Sequence, residues 1–205
     1  MTAGLEDFGS ITRCAWCGSD PEYQRYHDLE WGFPTRTDQA LFEKISLEGF
    51  QSGLSWLTIL RKREAFREVF AKFDPREVGC FDRKAVTALL RDARIVRHRG
   101  KIESVVNNAR RLPELQAEFG SFRAFLATFE PAPDSRPRRL TWAALRNMGM
   151  TPESTALSGE LKRRGWTFVG PTTMYAFMQA AGIVNDHLHG CDIRDRVERK
   201  RSRTR

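Results

Sequence analysis

The sequence predicts an all-α protein. Three observations carry that expectation: apolar residues recur at helical spacing through most of the 205 residues, capping residues and prolines bracket those runs, and no convincing stretch alternates apolar and polar residues as a strand would. Thr37 and Asp38 can cap a helix whose apolar positions begin at Leu41, Phe42 and Ile45. Phe66, Val69, Phe70 and Phe73 repeat at helical spacing until Asp74-Pro75 stops them. Asp82 can cap the next helix, with Val86, Leu89, Leu90 and Ala93 on one face. Ile102, Val105, Val106, Ala109 and Leu112 form another amphipathic stripe, ended by Pro113. Ser121 precedes Phe122, Phe125, Leu126 and Phe129, after which Pro131, Pro133 and Pro137 mark a loop. Thr151-Pro152-Glu153 supplies a cap, a first-turn proline and a first-turn acid, and Gly165 can end that helix after Arg164. A last helix is expected from about Pro171 to Gly182.

With 40% hydrophobic residues the chain can bury a substantial core, and only its ends look disordered. No apolar run approaches the roughly 20 residues needed to span a bilayer. Glu6 and Asp7 stand where a secretory signal would be basic and then apolar, so an intracellular, cytoplasmic protein is expected, with no membrane partner. Four cysteines are too few for a disulfide scaffold in a chain of this length, which leaves metal ligation or core packing. A net charge of +8 favours a polyanionic partner, nucleic acid first. The basic residues cluster at Arg61–Arg63, Arg97–Lys101, Lys162–Arg164 and Arg199–Arg205, the last reading as a disordered tail.

Three stretches have chemical potential. Cys14, Cys17 and His27 lie near one end; His187 and Cys191, spaced H-x3-C, lie near the other. Placed on one side of a helical turn, His187 and Cys191 can be joined by His27 and either Cys14 or Cys17 in a tetrahedral two-nitrogen, two-sulfur set. Zinc accepts such mixed ligands without redox chemistry. In LEGFQSGLSW, residues 47–56, Glu48 sits in an apolar, glycine-interrupted run, where a carboxylate must find donors or a polar pocket. Trp16, Tyr23, Tyr26, Trp31 and Trp56 are the nearby aromatics, suited to core packing or to stacking on a planar ligand. RDARIVRHRGKI, residues 91–102, joins two apolar-striped helices by a short basic turn, able to offer amides and cations to phosphates. Only Gly100 lies near that turn, and Arg94 stands where a glycine would be comfortable.

Together, RCAWCGSDPEYQRYHDLEWG, LFEKISLEGFQSGLSWLTILRKREAF, RIVRHRGKI and LKRRGWTFVGPTTMYAFMQAAGIVNDHLHGC resemble the 3-methyladenine DNA glycosylase I family, of the helix-hairpin-helix DNA glycosylase superfamily. The resemblance covers nearly the whole chain and is least distinctive between about Leu112 and Ser154. It implies one glycosylase unit over 11–195 built as two helical lobes: a helix-hairpin-helix lobe at about 46–128, and a zinc-clipped lobe at about 11–45 plus 129–195. Residues 1–10 and 196–205 are then flexible termini.

Carried over residue by residue, the family's zinc ligands fall on Cys14, His27, His187 and Cys191, one structural ion tying the two ends together, with Cys17 and His189 outside the pattern. Its base-recognition positions fall on Glu48, Tyr26, Trp56 and Trp16, and its duplex wedge on Gly53 and Leu54. The implied substrate is double-stranded DNA containing alkylated adenine. 3-Methyladenine in DNA carries a positive charge, which makes it a good leaving group, so selection matters more than activation. Glu48 is then the catalytic carboxylate, first as the group recognising the base and stabilising charge and alternatively as a general base towards water, while Trp16 and Trp56 stack on the cationic ring. Asn107, Asn108 and Ala109 follow the hairpin where many relatives carry an aspartate, and no lysine is an obvious nucleophile. The expected enzyme is monofunctional: it releases 3-methyladenine, leaves an abasic site and does not cut the strand. Backbone binding is assigned to Arg97, His98, Arg99 and Lys101 with the hairpin amides, and a monomer is expected. The rival reading is a non-catalytic, zinc-stabilised DNA-binding protein of the same fold; a helical regulator with packed aromatics accounts for neither the terminal metal-type residues nor Glu48.

Overall fold

The computed structural model describes residues 3–132, 135–137 and 139–203; Pro133 of the proline loop and Thr204 and Arg205 of the basic tail lie outside them. Among the described residues the architecture is helical apart from one small sheet at the N-terminal end. Strands β1 (Leu5–Phe8) and β2 (Ile11–Cys14) pair antiparallel with Leu5 opposite Cys14, about a turn in which Gly9 takes φ 70°. Four-residue strands are too short to display the alternation that identifies a strand in sequence, so the all-α expectation missed them.

A 3₁₀ turn at Ala15–Cys17 leads to α1 (Pro21–Leu29), whose N-terminus is closed by the Asp20 carboxylate accepting from the amides of Glu22 and Tyr23. Thr37 caps α2 (Asp38–Gln51), which runs continuously across the expected lobe boundary at 45/46, and Ser55 caps α3 (Trp56–Val69). The aromatic run expected to continue the helix instead leaves it. Ala71, Lys72 and Phe73 adopt φ of 49°, 53° and 56°, a left-handed turn that drops Phe73 into the core. Two short helices follow, α4 (Pro75–Gly79) and α5 (Arg83–Leu89), the latter capped by Asp82 as the sequence suggests; Ala93 lies beyond it and is exposed.

α6 (Arg99–Phe119) carries the largest correction, because Pro113 lies inside it rather than at its end. Proline removes one ladder hydrogen bond. The apolar stripe nevertheless continues through Leu112 and Leu115, both fully buried, and that burial outweighs the lost bond. α7 (Phe122–Ala127) is capped twice: by Ser121 at Ala124, and by Asp38 of α2, whose carboxylate accepts from the amides of Phe122 and Arg123. A short helix absent from the sequence reading, α8 (Trp142–Leu145), precedes α9 (Pro152–Arg163), which opens on a Thr151/Ser154 capping box, and α10 (Pro171–Ala180).

The last described helix lies within the segment that the sequence reading took as a flexible terminus from 196. α11 (Arg194–Ser202) is docked by Val197, which is fully buried, and by Arg201, which donates to the Ile183 carbonyl and to Glu130. The main core is shared by α2, α3, α6, α7, α9 and α10, with stacked Phe122 and Trp166 at its centre. A second cluster gathers Cys14, Leu140, Leu188, Cys191, Ile193 and Val197, so the two ends of the chain fold onto one another. No described helix is long and apolar enough to cross a membrane.

Candidate functional site

Residues from opposite ends of the chain meet first around a buried four-donor cluster. Cys14, His27, His187 and Cys191 are all buried, and their ligand atoms lie within 4.8 Å of one another. His27 Nε2 is 3.1 Å from His187 Nδ1, and Cys191 Sγ is 3.6 and 3.5 Å from those two nitrogens. Cys14 Sγ lies 4.0 Å from His187 Nδ1. The imidazoles are oriented from outside the cluster: His27 Nδ1 bonds the Asp28 carboxylate at 2.8 Å, and His187 Nε2 donates to the Trp31 carbonyl at 3.0 Å. Each ring therefore turns its unprotonated nitrogen inward, the tautomers a metal requires. His187 and Cys191 come together without the helical turn the spacing suggested. Residues 185–188 lie outside regular secondary structure, and a turn closed by the Cys191 amide on Leu188 O returns Cys191 to the cluster. Gly32, at φ 81°, leaves no room for a side chain, since a Cβ there would meet the His187 ring at 3.2 Å. Cys17 is also fully buried but is not a member of the set; burial pushes its thiol up to about 12.

Beside this cluster lies a cavity of about 240 Å³, lined by Trp16, Tyr26, Trp31, Glu48, Trp56 and Gln179 among others. The volume is below the roughly 300–1,000 Å³ of sites for drug-sized ligands and suits one flat base. Trp16 sits on the 3₁₀ turn between two edge-on neighbours, Tyr23 at 5.1 Å and Trp31 at 4.9 Å, while Tyr26 and Trp56 pack at 5.2 Å. Glu48 is 5% exposed and its Oε2 has no hydrogen-bond partner; Trp56 Nε1 is likewise buried and unpartnered. A buried orphan acceptor and a buried orphan donor in one cavity wall cost stability unless a ligand satisfies them. Burial pushes the Glu48 carboxyl up to about 8, opposed only by Lys44 one turn earlier.

All four base-recognition residues expected from the sequence line this cavity. Tyr23 and Trp31, named from the sequence only as aromatics suited to packing or stacking, also line it, and sequence reasoning missed Gln51, Leu145, Ala176 and Gln179 as wall residues. Gln51 lies one helical turn after Glu48 and was within reach of a spacing argument, whereas Leu145 comes from α8 in the least distinctive part of the chain. Gln179 Nε2 donates to Asp186 at 2.8 Å; since a carboxylate only accepts, its amide orientation is fixed. Asp186, fully buried, also takes bonds from Tyr175 and Arg136.

At the rim, Gly53 takes φ 79° with open space around it, so it serves backbone shape, and Leu54 stands 41% exposed beyond it. The hairpin between α5 and α6 is stapled from α3: Lys62 donates to the carbonyls of Ala93 and Arg94, and Arg94 pairs with Asp92 and Glu68. Arg94 is not among the residues with positive φ, so the position does not require the glycine that the sequence suggested would be comfortable there. Arg97, His98 and Arg99 are exposed, and His98 caps α6 by accepting from the Lys101 amide.

Lys101 differs from the other hairpin cations. Only 6% exposed, its ammonium donates to the carbonyls of Phe50 at 2.9 Å and Ser52 at 2.5 Å, the C-terminal end of α2. A cation there complements the helix dipole and anchors the segment carrying Leu54, so its side chain is unavailable to phosphate. Lys101→Met is expected to cost roughly 2–3 kcal/mol, the range for charged hydrogen bonds. It should leave the salt dependence of DNA binding unchanged, measured by thermal melting and by duplex binding at several salt concentrations. Phe168 was also unassigned: it is 36% exposed at φ 57°, and its ring would lie 3.5 Å from a Cβ on Gly100.

The comparisons with known proteins fall on this same frame. The family model for methyladenine glycosylase matches residues 16–195. The chain belongs to the methyladenine glycosylase family. DNA-3-methyladenine glycosylase 1 of Escherichia coli (strain K12) is 44% identical over 181 residues, 88% of this chain and 96% of that protein. A crystal structure of a 3-methyladenine DNA glycosylase I superposes with a TM-score of 0.80 at 45% identity, covering 88% of this chain and 98% of the other. The Staphylococcus aureus glycosylase I, solved to define 3-methyladenine recognition, matches with a TM-score of 0.81 at 36% identity, over 89% and 96% of the two chains.

Proposed function

We propose that this protein is a DNA repair glycosylase of base excision repair, extruding 3-methyladenine from alkylated duplex DNA and hydrolysing its N-glycosidic bond. The observation that carries the reading is Glu48: a buried carboxylate with an unpartnered oxygen, in an aromatic cavity sized for one base. A cationic, flat ligand with an exocyclic amine satisfies it, and neither water nor a normal neutral base does so as well. Trp16 and Trp56 stack on the ring, Tyr26 bounds it, and Glu48 accepts from the amine while offsetting its charge. The bond between the base nitrogen and C1′ breaks with its electron pair leaving on the base, and water adds to the sugar with loss of a proton. Free 3-methyladenine and an abasic site result, with the strand intact.

Gly53 and Leu54 enter the duplex where the nucleotide has left, offsetting lost stacking. Arg97, His98 and Arg99 hold backbone phosphates with the hairpin amides; Lys101 supports the wedge from behind. The expected lobes meet at the cavity, since Glu48, Gln51 and Trp56 come from 46–128 and the remaining wall from 11–45 and 129–195.

The donor cluster fits zinc. Tetrahedral zinc with bonds of about 2.0–2.1 Å to nitrogen and 2.3 Å to sulfur separates its ligands by roughly 3.3–3.8 Å; four of the donor pairs here lie 3.1–4.0 Å apart, and all lie within 4.8 Å, so the donors would draw together slightly around the ion. Four protein ligands would leave no position for an activated water, so Cys14, His27, His187 and Cys191 would hold the ion in a structural role, joining β2 and α1 to the segment before α11 beside Trp16 and Tyr26.

Incubating the protein with methylated duplex DNA and chromatographing the released bases tests the activity. Free 3-methyladenine with an unnicked, alkali-labile strand is the expected product. Tight duplex binding without base release would establish the non-catalytic reading in its place.

A further inference from the structure

α11 is a docked helix with a basic outer face. Val197 and Arg201, four residues apart, fasten one side to the body. Arg196, Arg199 and Arg203, spaced three and four apart, are exposed on the other side, and their guanidinium groups make no hydrogen bond or ion pair among the described residues. With Lys200 and Phe33 they surround a surface cavity of about 220 Å³.

Helix electrostatics alone does not account for them. Cations in the last turn of α11 complement its dipole, but Arg196 lies in the first turn, where a cation is disfavoured. Its neighbour Arg194 answers that cost with a hydrogen bond to the His187 carbonyl; Arg196 has no such partner. The patch is also close to the base cavity. Phe33 is two residues from Trp31, which lines that cavity, so at most about 8 Å of backbone separates them. The family match ends at residue 195, so all three arginines lie beyond it.

We propose that α11 is an auxiliary DNA-docking surface, its Arg196, Arg199 and Arg203 binding backbone phosphates of the duplex beside the lesion. The inference rests on the glycosylase reading, which supplies the polyanion. Phosphate contacts of this kind are indifferent to sequence and to damage, and they hold the enzyme on DNA while the hairpin and wedge test each base pair.

The test is binding of an undamaged duplex to wild type, to R196Q/R199Q/R203Q and to R196K/R199K/R203K between 50 and 200 mM salt, with free 3-methyladenine binding followed in parallel. Three lost phosphate contacts lower the slope of log affinity against log salt by about 2.7, so wild-type affinity falls roughly 40-fold more than that of the glutamine variant across this range. The lysine variant should behave as wild type, and all three proteins should bind free 3-methyladenine equally. A glutamine variant with the wild-type slope and affinity overturns the inference. If that occurs while wild type still releases 3-methyladenine from methylated DNA, only the role of α11 is lost; absence of base release by wild type would remove the glycosylase reading itself.

Discussion

Cys191→Ser protein is expected to purify with well under one zinc per chain and to melt on the order of 10 °C below wild type. The argument is thermodynamic. A preformed four-donor zinc site contributes folding free energy directly, on the order of 10 kcal/mol in small zinc domains. This chain also has an apolar core that zinc does not build, so the variant should fold with diminished stability. A loss of about 3 kcal/mol or more in a chain this size corresponds to roughly 10 °C. The damage should reach the base cavity, because His27 is flanked by Tyr26 and packs 5.2 Å from Trp16. Cys17→Ser is the matched control. Its sulfur lies outside the donor set, so zinc content should remain at one per chain. Loss of zinc from the Cys17 variant, or a zinc-free wild type as stable as the loaded one, would refute the assignment.

Glu48→Gln is expected to cut the rate of 3-methyladenine excision by at least 100-fold while making the free protein more stable. In the free protein the folded-state carboxyl sits at about 8, well above its unfolded value of about 4.3. Below the unfolded value both states hold the proton, and Glu48 costs nothing on that account. As pH rises from there towards 8 the unfolded state ionises first, so stability falls through that window and stays reduced above it. Glutamine cannot ionise and so removes this pH-dependent cost, and the stability gained over wild type should grow as pH rises from the unfolded value towards 8. Catalysis runs the opposite way. Only the ionised carboxylate attracts a cationic base, so kcat/KM of wild type should climb with pH and level off above about 8. That limb should vanish in Glu48→Gln. The pair of measurements, thermal stability and the pH profile, separates a ligand-directed carboxylate from a structural one.

The central features were legible in the sequence because they lie on short, local motifs. Tyr26, Glu48 and Trp56, assigned through the motifs that carry the family resemblance, sit on α1, α2 and the start of α3; of these helices only α2 was expected from its capping residue and apolar spacing. The choice between Cys14 and Cys17 was open from spacing alone; the intervening 3₁₀ turn decides it by sending the two sulfurs to different surroundings. Lys101 shows what a basic cluster conceals. Near the start of α6 its long side chain reaches to the end of α2, and nothing in RHRGK distinguishes that burial from exposure. Pro113 was read as a terminator because local propensity says so, and the core contacts of Leu112 and Leu115 lie far away in sequence. Gln179 became visible only through Asp186, a tertiary partner that aims its amide.

The most direct test of the cavity's role is titration of the zinc-loaded protein with free 3-methyladenine, read by tryptophan fluorescence because Trp16, Trp31 and Trp56 all line the cavity. Wild type should show a saturable change. Glu48→Ala should show a dissociation constant raised at least tenfold with zinc content unchanged at one per chain. Equal affinity in the two proteins, at equal zinc content, would contradict the placement of the alkylated base against Glu48.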